Sequence, residues 1–370
     1  MYHDPTSQSS HSFATIESMN YEEIITLLGN EAESLLNHSC EKIPKDLIIS
    51  PGPESVLTVL RDSNRSSRVI ANLQRLYQHG RLAGTGYLSI FPVDQGLEHT
   101  AAYSFYQQPR YFDPQTILEM AIEGGCSGVA SSFGVLSSVS KKYQSKIPYV
   151  VKINHSEHLT FPEVTDQLLF TSVDQAATIG AAAVGATVYF GSDTSHKQIE
   201  QISRLFERAH QLGMATILWC YPRNDQYKKD NQSYEEAVDV TAQAIHLGVS
   251  MGADIVKQKM PSPFRAFQAL NFSKYDDQMY DQLLTDHPID LVRYQVLHAY
   301  SGRIGLINSG GESLGEDNLR AAVRQAIINK RAGGHGLIMG RKVFKSSWDE
   351  GVRLLHAVQD VYLEQKITIA

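Results

Sequence analysis

Gly252-Ala253-Asp254-Ile255-Val256-Lys257-Gln258-Lys259 runs through an apolar, partly β-branched stretch and ends on two lysines. An apolar run of this length fits a strand buried on both faces, as in a parallel sheet covered by helices. In a parallel barrel the carboxyl ends of the strands build the active site, so polar residues there interrupt the apolar runs.

Outward from this stretch the pattern repeats, giving eight candidate strands at Tyr87–Asp94, Gly128–Ser132, Tyr149–Asn154, Thr187–Phe190, Ala215–Tyr221, Asp254–Lys259, Ile304–Ser309 and Gly336–Gly340. Amphipathic stretches lie between them: Pro114–Glu123, Val173–Ala183, Lys197–Gln211, Tyr234–Met251, Glu316–Arg331 and Ser347–Glu364. Asp113-Pro114 opens the first as a cap followed by an N1 proline. Eight strands alternating with helices over about 280 residues have the size and rhythm of a (β/α)8 TIM barrel. A doubly wound open sheet shares the alternation, which does not by itself report closure.

Before the barrel, apolar residues from Met19 to about Leu82 recur at helical spacing, as at Ile24, Ile25, Leu27 and Leu28. The expected organisation is a helical N-terminal extension over 1–83 and an α/β barrel over 84–370. Residues 1–15 are Ser/His-rich and expected to be mobile. Two segments strain the alternation: the polar loop 223–233, and 260–302, which reads as an insertion carrying Pro261, Pro263 and many aromatics.

With 42% hydrophobic and 20% charged residues, the chain can form a sizeable core. A formal net charge of -7 without a dense basic run argues against nucleic acid as a partner. No apolar stretch approaches the roughly 18 residues of a membrane span, and the polar N-terminus lacks the apolar run of a secretory signal. Cys40, Cys126 and Cys220 stand far apart and form neither a disulfide framework nor a CxxC site, which fits a reducing compartment such as the cytoplasm.

The strand ends carry the chemistry-bearing residues. Lys257 sits in an apolar strand, where desolvation disfavours its ammonium form; Lys259, on the same face, would add like-charge repulsion. A neutral amine is what attack on a carbonyl requires. The bland alternative is a lysine snorkelling out to a carboxylate. Trp219 and Tyr221 share a face at the end of the fifth strand, followed by Arg223; the tyrosine suits proton transfer and the indole a pocket wall, although most inward aromatics are simply core. Asp94 ends the first strand as a base, an anchor for substrate hydroxyls, or only a turn residue. Lys152 and Asn154 lie near the end of the third. Ser309-Gly310-Gly311 and Gly340-Arg341 end the last two strands, where this barrel class commonly cradles phosphate.

Other signals are set aside. His155-Ser-Glu-His158 has helical metal-ligand spacing, but no carboxylate or cysteine cluster completes a site, so these read as solvated loop histidines and no metal is expected. Gly84-Thr-Gly86 precedes its strand, whereas a dinucleotide fingerprint follows one.

The series VDQG, LWCYPR, GADIVKQK, INSGG and IMGR resembles, in order and from Gly84 to the C-terminus, the archaeal-type class I fructose-bisphosphate aldolases, a group also found in bacteria. The resemblance implies a metal-independent aldolase without cofactor, with Lys257 as Schiff-base lysine, Tyr221 as acid/base and Trp219 lining the site. It further implies Asp94 at the end of the first strand, phosphate loops at Ser309–Gly311 and Gly340–Arg341, a phosphorylated sugar as substrate, and a homo-oligomer. Lys259 and Arg223 flank the same site. Gln95 stands where the family commonly has histidine, which leaves that side chain's role open. Two alternatives share the scaffold: a Schiff-base transaldol or acyl-transfer enzyme acting on another phosphorylated ketose, and a non-catalytic phosphometabolite-binding barrel.

Overall fold

The computed structural model describes residues 18–97, 99–162, 164–311 and 317–370. The expectation of a mobile stretch at 1–15 lies outside these residues, as does Glu316 at the expected start of a helix.

The barrel closes. Its strands are β1 (Leu88–Val93), β2 (Gly128–Ser132), β3 (Tyr149–Lys152), β4 (Ala183–Phe190), β5 (Ala215–Pro222), β6 (Ile255–Gln258), β7 (Gly305–Ser309) and β8 (Gly336–Ile338). Every neighbour pair is parallel, and β8 returns to β1 through Leu88↔Gly336. The open sheet is thereby excluded. All eight strands fall where the apolar runs place them; most ends shift by one or two residues, and β4 alone grows substantially. β4 begins at Ala183, not Thr187; its first half, Ala183-Val184-Gly185-Ala186, is mostly alanine and glycine, whose weak strand propensity hides it in the sequence. The preceding helix stops at Thr178, just before Gly180, which takes a φ of 68°.

Alternate residues face two cores. Ile90, Val150, Ile217, Ile255, Ile307 and Ile338 point inward, together with Trp219. The outward set, including Val151, Val184, Leu218, Val256 and Leu306, packs against the surrounding helices. The inner core is shared with helix Ser67–Tyr77, whose Val69, Leu73, Leu76 and Tyr77 join it. The helix thus floors the amino end of the barrel. Its start is fixed by Ser66, which accepts from the Val69 N–H.

Arg293, fully buried, fastens the N-terminal segment and the C-terminus to the helical layer. Its guanidinium donates to the carbonyls of Ile43 (2.5 Å), Ala332 (2.6 Å), Ala370 (2.6 Å) and Arg331 (3.2 Å). Near it, Asp290 accepts from Thr285 and lies 3.0 Å from His38 Nε2. Burial alone would raise the Asp290 carboxyl, but these hydrogen bonds outweigh it and hold the group below its ordinary range.

The two segments that strain the alternation pack together. Residues 228–233 form a small hairpin; Tyr227 stacks on Phe272 at 5.3 Å, and Lys229 Nζ donates to Ala269 O at 2.8 Å. Asp239 organises the second segment by accepting from the N–H groups of Ala266 and Phe267 and from Tyr280 Oη. Within 260–302, helix Pro288–His298 packs between helices Val238–Ser250 and Asn318–Ala332, where a barrel crossover helix belongs. No helix among the described residues is long and apolar enough to cross a membrane.

Candidate active site

The inward faces of β5 and β6 carry their polar residues to one end of the barrel. Lys257 is in register with Trp219 and is 8% exposed. Its Nζ donates to Tyr221 Oη at 2.5 Å and lies 5.3 Å from the centroid of the Trp219 ring. Within the described residues, the amine thus meets a tyrosine inside the mouth.

A second lysine shares the indole. Lys152, 1% exposed at the end of β3, brings its Nζ 5.2 Å from the Trp219 centroid and 3.9 Å from Asp94 Oδ2. Two amines, a carboxylate and a phenol therefore meet around one ring. Trp219 reaches this position because Gly185 has no side chain: a Cβ there would come within 2.7 Å of the indole. The expected like-charge neighbour is different. Lys259 runs to Glu236, with Nζ 2.5 Å from its Oε1, so Lys152 is the second amine beside Lys257. Lys152 closes Tyr149-Val150-Val151 by the same logic that singles out Lys257, and that signal was sufficient to find it.

Arg223 lies at the rim, 5.5 Å from the Tyr221 ring centroid and 5.6 Å from that of Tyr189, while Glu235 holds one of its nitrogens at 3.0 Å. At the ends of β7 and β8, Gly310 N donates to Ile338 O at 3.0 Å, and Gly311 takes a φ of 63°. Residues 312–316 of this loop lie outside the described residues. Ser309 and Arg341 are half-buried. Gly340 abuts β1, where a Cβ would meet Pro92 O at 2.3 Å; this glycine has a packing reason apart from any ligand.

Of the two histidines after β3, His158 is exposed as expected and His155 is not. His155 is fully buried on a two-residue strand, against Lys152 O at 3.2 Å and edge-on to Phe170. The segment turns back as a hairpin that pairs Asn154–His155 with Leu168–Leu169, which sequence spacing did not signal. Among the described residues the one grouping of metal-ligating type, His38, Cys40 and Asp290, lies in the outer helical layer away from the mouth.

A closed parallel barrel with a buried lysine held against a tyrosine at its mouth has the architecture of a barrel aldolase. Residues 88–346 match the model of the DeoC/LacD family aldolases, and the chain belongs to that family. It is 51% identical over 347 residues to the probable fructose-bisphosphate aldolase class 1 of Chlamydia muridarum, covering 94% of this chain and 99% of that protein. The fructose-bisphosphate aldolase/6-deoxy-5-ketofructose 1-phosphate synthase of Methanocaldococcus jannaschii is 27% identical over 290 residues, covering 76% of this chain and 83% of that protein. An archaeal fructose-1,6-bisphosphate aldolase, solved with its catalytic lysine bound to a carbinolamine, shares the fold with a TM-score of 0.60 at 23% identity over 79% of this chain and 99% of that one.

Proposed function

We propose that this chain is a class I fructose-bisphosphate aldolase that cleaves fructose 1,6-bisphosphate reversibly through a Schiff base on Lys257. The observation that carries the reading is the buried Lys257–Tyr221 pair beside Lys152 and Asp94. Attack on a carbonyl uses the neutral amine, and Lys257 is buried against Tyr221 and the Trp219 ring, where a ketone can be held out of bulk water.

The Lys257 amine adds to the C2 ketone to give a carbinolamine, which loses water and becomes an iminium. Asp94, with Tyr221 assisting, takes the C4 hydroxyl proton. The C3–C4 bond breaks, its electron pair flows into the iminium to form an enamine, and glyceraldehyde 3-phosphate leaves. Tyr221 protonates C3, and water then releases dihydroxyacetone phosphate and restores the amine. The iminium nitrogen is the electron sink, so the reaction needs no metal. Ser309, Gly310, Gly311, Gly340 and Arg341 serve as the phosphate cradle, and Trp219, Arg223 and Lys259 line the approach. Carbon flow in either direction suits glycolysis and gluconeogenesis.

Three buried free cysteines support a reducing cytoplasmic setting. We read residues 1–83 as an extension that floors the barrel, and the working form as a homo-oligomer. A second reading, a transaldol step on another phosphorylated ketose, is favoured by the double name of the M. jannaschii relative.

The test is borohydride reduction in the presence of dihydroxyacetone phosphate, followed by peptide mapping. An adduct on the Lys257 peptide is expected. Its absence would return the chain to the non-catalytic alternative, and a screen of phosphosugars separates the two enzymatic readings.

A further inference from the structure

β4 alternates as strictly as its neighbours. Val184, Ala186 and Val188 belong to the outer core, whereas Ala183 belongs to the inner one. The missing Cβ of Gly185 faces Trp219 and Val150, both inner-core residues. Thr187 therefore points into the barrel. It is in register with Trp219 on β5, one inward position below Tyr189, which pairs with Tyr221; Gly185, one position the other way, pairs with Lys152 on β3.

Thr187 is 1% exposed, and its hydroxyl has no hydrogen-bond partner among the described residues. Its backbone, by contrast, is fully used. β3 ends at Lys152, and Asn154 takes over the pairing with its side chain: Nδ2 donates to Thr187 O and Oδ1 accepts from Thr187 N, each at 2.7 Å. The residue is clamped on both backbone groups with one polar atom left over. A buried hydroxyl left without a partner is destabilising, because it gives up its hydrogen bonds to water. Valine has the same shape and a good strand propensity, and would avoid that cost. Packing alone gives no reason for the hydroxyl.

Around the Trp219 ring, the two lysines, the carboxylate and the phenol each have a protein partner. The Thr187 hydroxyl, both donor and acceptor, matches the non-reacting hydroxyls of a ketose. We propose that Thr187 is a substrate-contacting residue whose hydroxyl bonds a non-reacting hydroxyl of the open-chain ketose phosphate carried on Lys257. This rests on the aldolase reading above.

The experiment compares Thr187→Val and Thr187→Ser with the parent full-length chain, measuring Tm, kcat and KM for fructose 1,6-bisphosphate cleavage. Thr187→Val is expected to keep or raise Tm, because it removes an unsatisfied polar atom. Its kcat/KM should fall roughly 10–100-fold. The loss should fall mainly on KM, since such a contact is made alike in ground and transition states. Thr187→Ser, which keeps the hydroxyl, should retain most of the parent activity. Unchanged kinetics in the valine variant would overturn the proposal, leaving water as the hydroxyl's partner. A fall in Tm with KM unaltered would overturn it too, marking a packing role. If the parent itself neither cleaves the sugar nor forms a borohydride-trapped adduct, the aldolase reading fails first, and the Tm comparison still reports whether the hydroxyl is unsatisfied.

Discussion

Lys257 Nζ and Tyr221 Oη lie 2.5 Å apart across adjacent barrel strands, although the register partner of Lys257 is Trp219. The lysine reaches one inward position further along β5 and so leaves the indole to support both amines from the side. A proton can pass along this contact without solvent.

Replacing Tyr221 with phenylalanine removes the proton carrier and keeps the ring. Turnover should fall about 10²–10⁴-fold, the usual weight of one general acid/base group, with little change in Tm. Steady-state rates measured beside thermal unfolding check this; an unaltered kcat would take Tyr221 out of the mechanism.

Lys152→Met deletes the amine nearest Asp94 while retaining most of the side-chain volume. Loss of a like charge stabilises the ammonium form of Lys257, so the acid limb of kcat/KM should move to higher pH. The pH–rate profile reads this directly. A limb that stays in place means that Lys152 exerts no field on the nucleophile.

Gly185→Ala sets a methyl within 2.7 Å of the indole, and Val150 closes the other side at 3.4 Å. Overpacking of this kind costs about 1–3 kcal/mol and displaces the ring. A lower Tm with altered tryptophan fluorescence and reduced kcat is expected, whereas parent-like fluorescence would show that the ring does not depend on this glycine.

Arg341→Ala should weaken affinity for phosphorylated substrate and leave the fold intact, because a guanidinium contributes charge-assisted hydrogen bonds to phosphate. Competition by inorganic phosphate measures the loss. Equal inhibition of parent and variant would place the cradle elsewhere.

Burial lowers His335 to about 4 from its ordinary 6.5. The unfolded chain takes the proton near 6.5 and the folded chain only near 4, so stability is whole above 6.5 and drains away as pH falls between these values. The full effect is on the order of 3 kcal/mol. His298, lowered to about 4 mainly by burial, acts in the same direction. Urea unfolding across this range should give a steep fall in the parent and a shallower one in His335→Asn; parallel curves would exclude His335 as a source.

Strand number, order and the lysine-bearing end were legible because an apolar run in a parallel barrel is a local signal, set by burial on both faces. GADIVK and YVVK carry it plainly, whereas Ala181–Gly185 does not: alanine and glycine leave helix and strand equally open, and only neighbours decide. The destination of each charged side chain is another matter. That Lys259 would turn to Glu236 and Lys152 to Asp94 depends on groups far apart in the chain, brought together by closure of the barrel. The sequence by itself determined eight buried parallel strands and placed an amine at the end of one, since both follow from local apolar runs, whereas closure of the sheet was decided by the pairing of β8 with β1. The pairing of the second amine with Asp94, the glycine that admits the indole and the buried hydroxyl of Thr187 were decided by tertiary structure alone, because a partner across the barrel leaves no trace in the spacing of either residue.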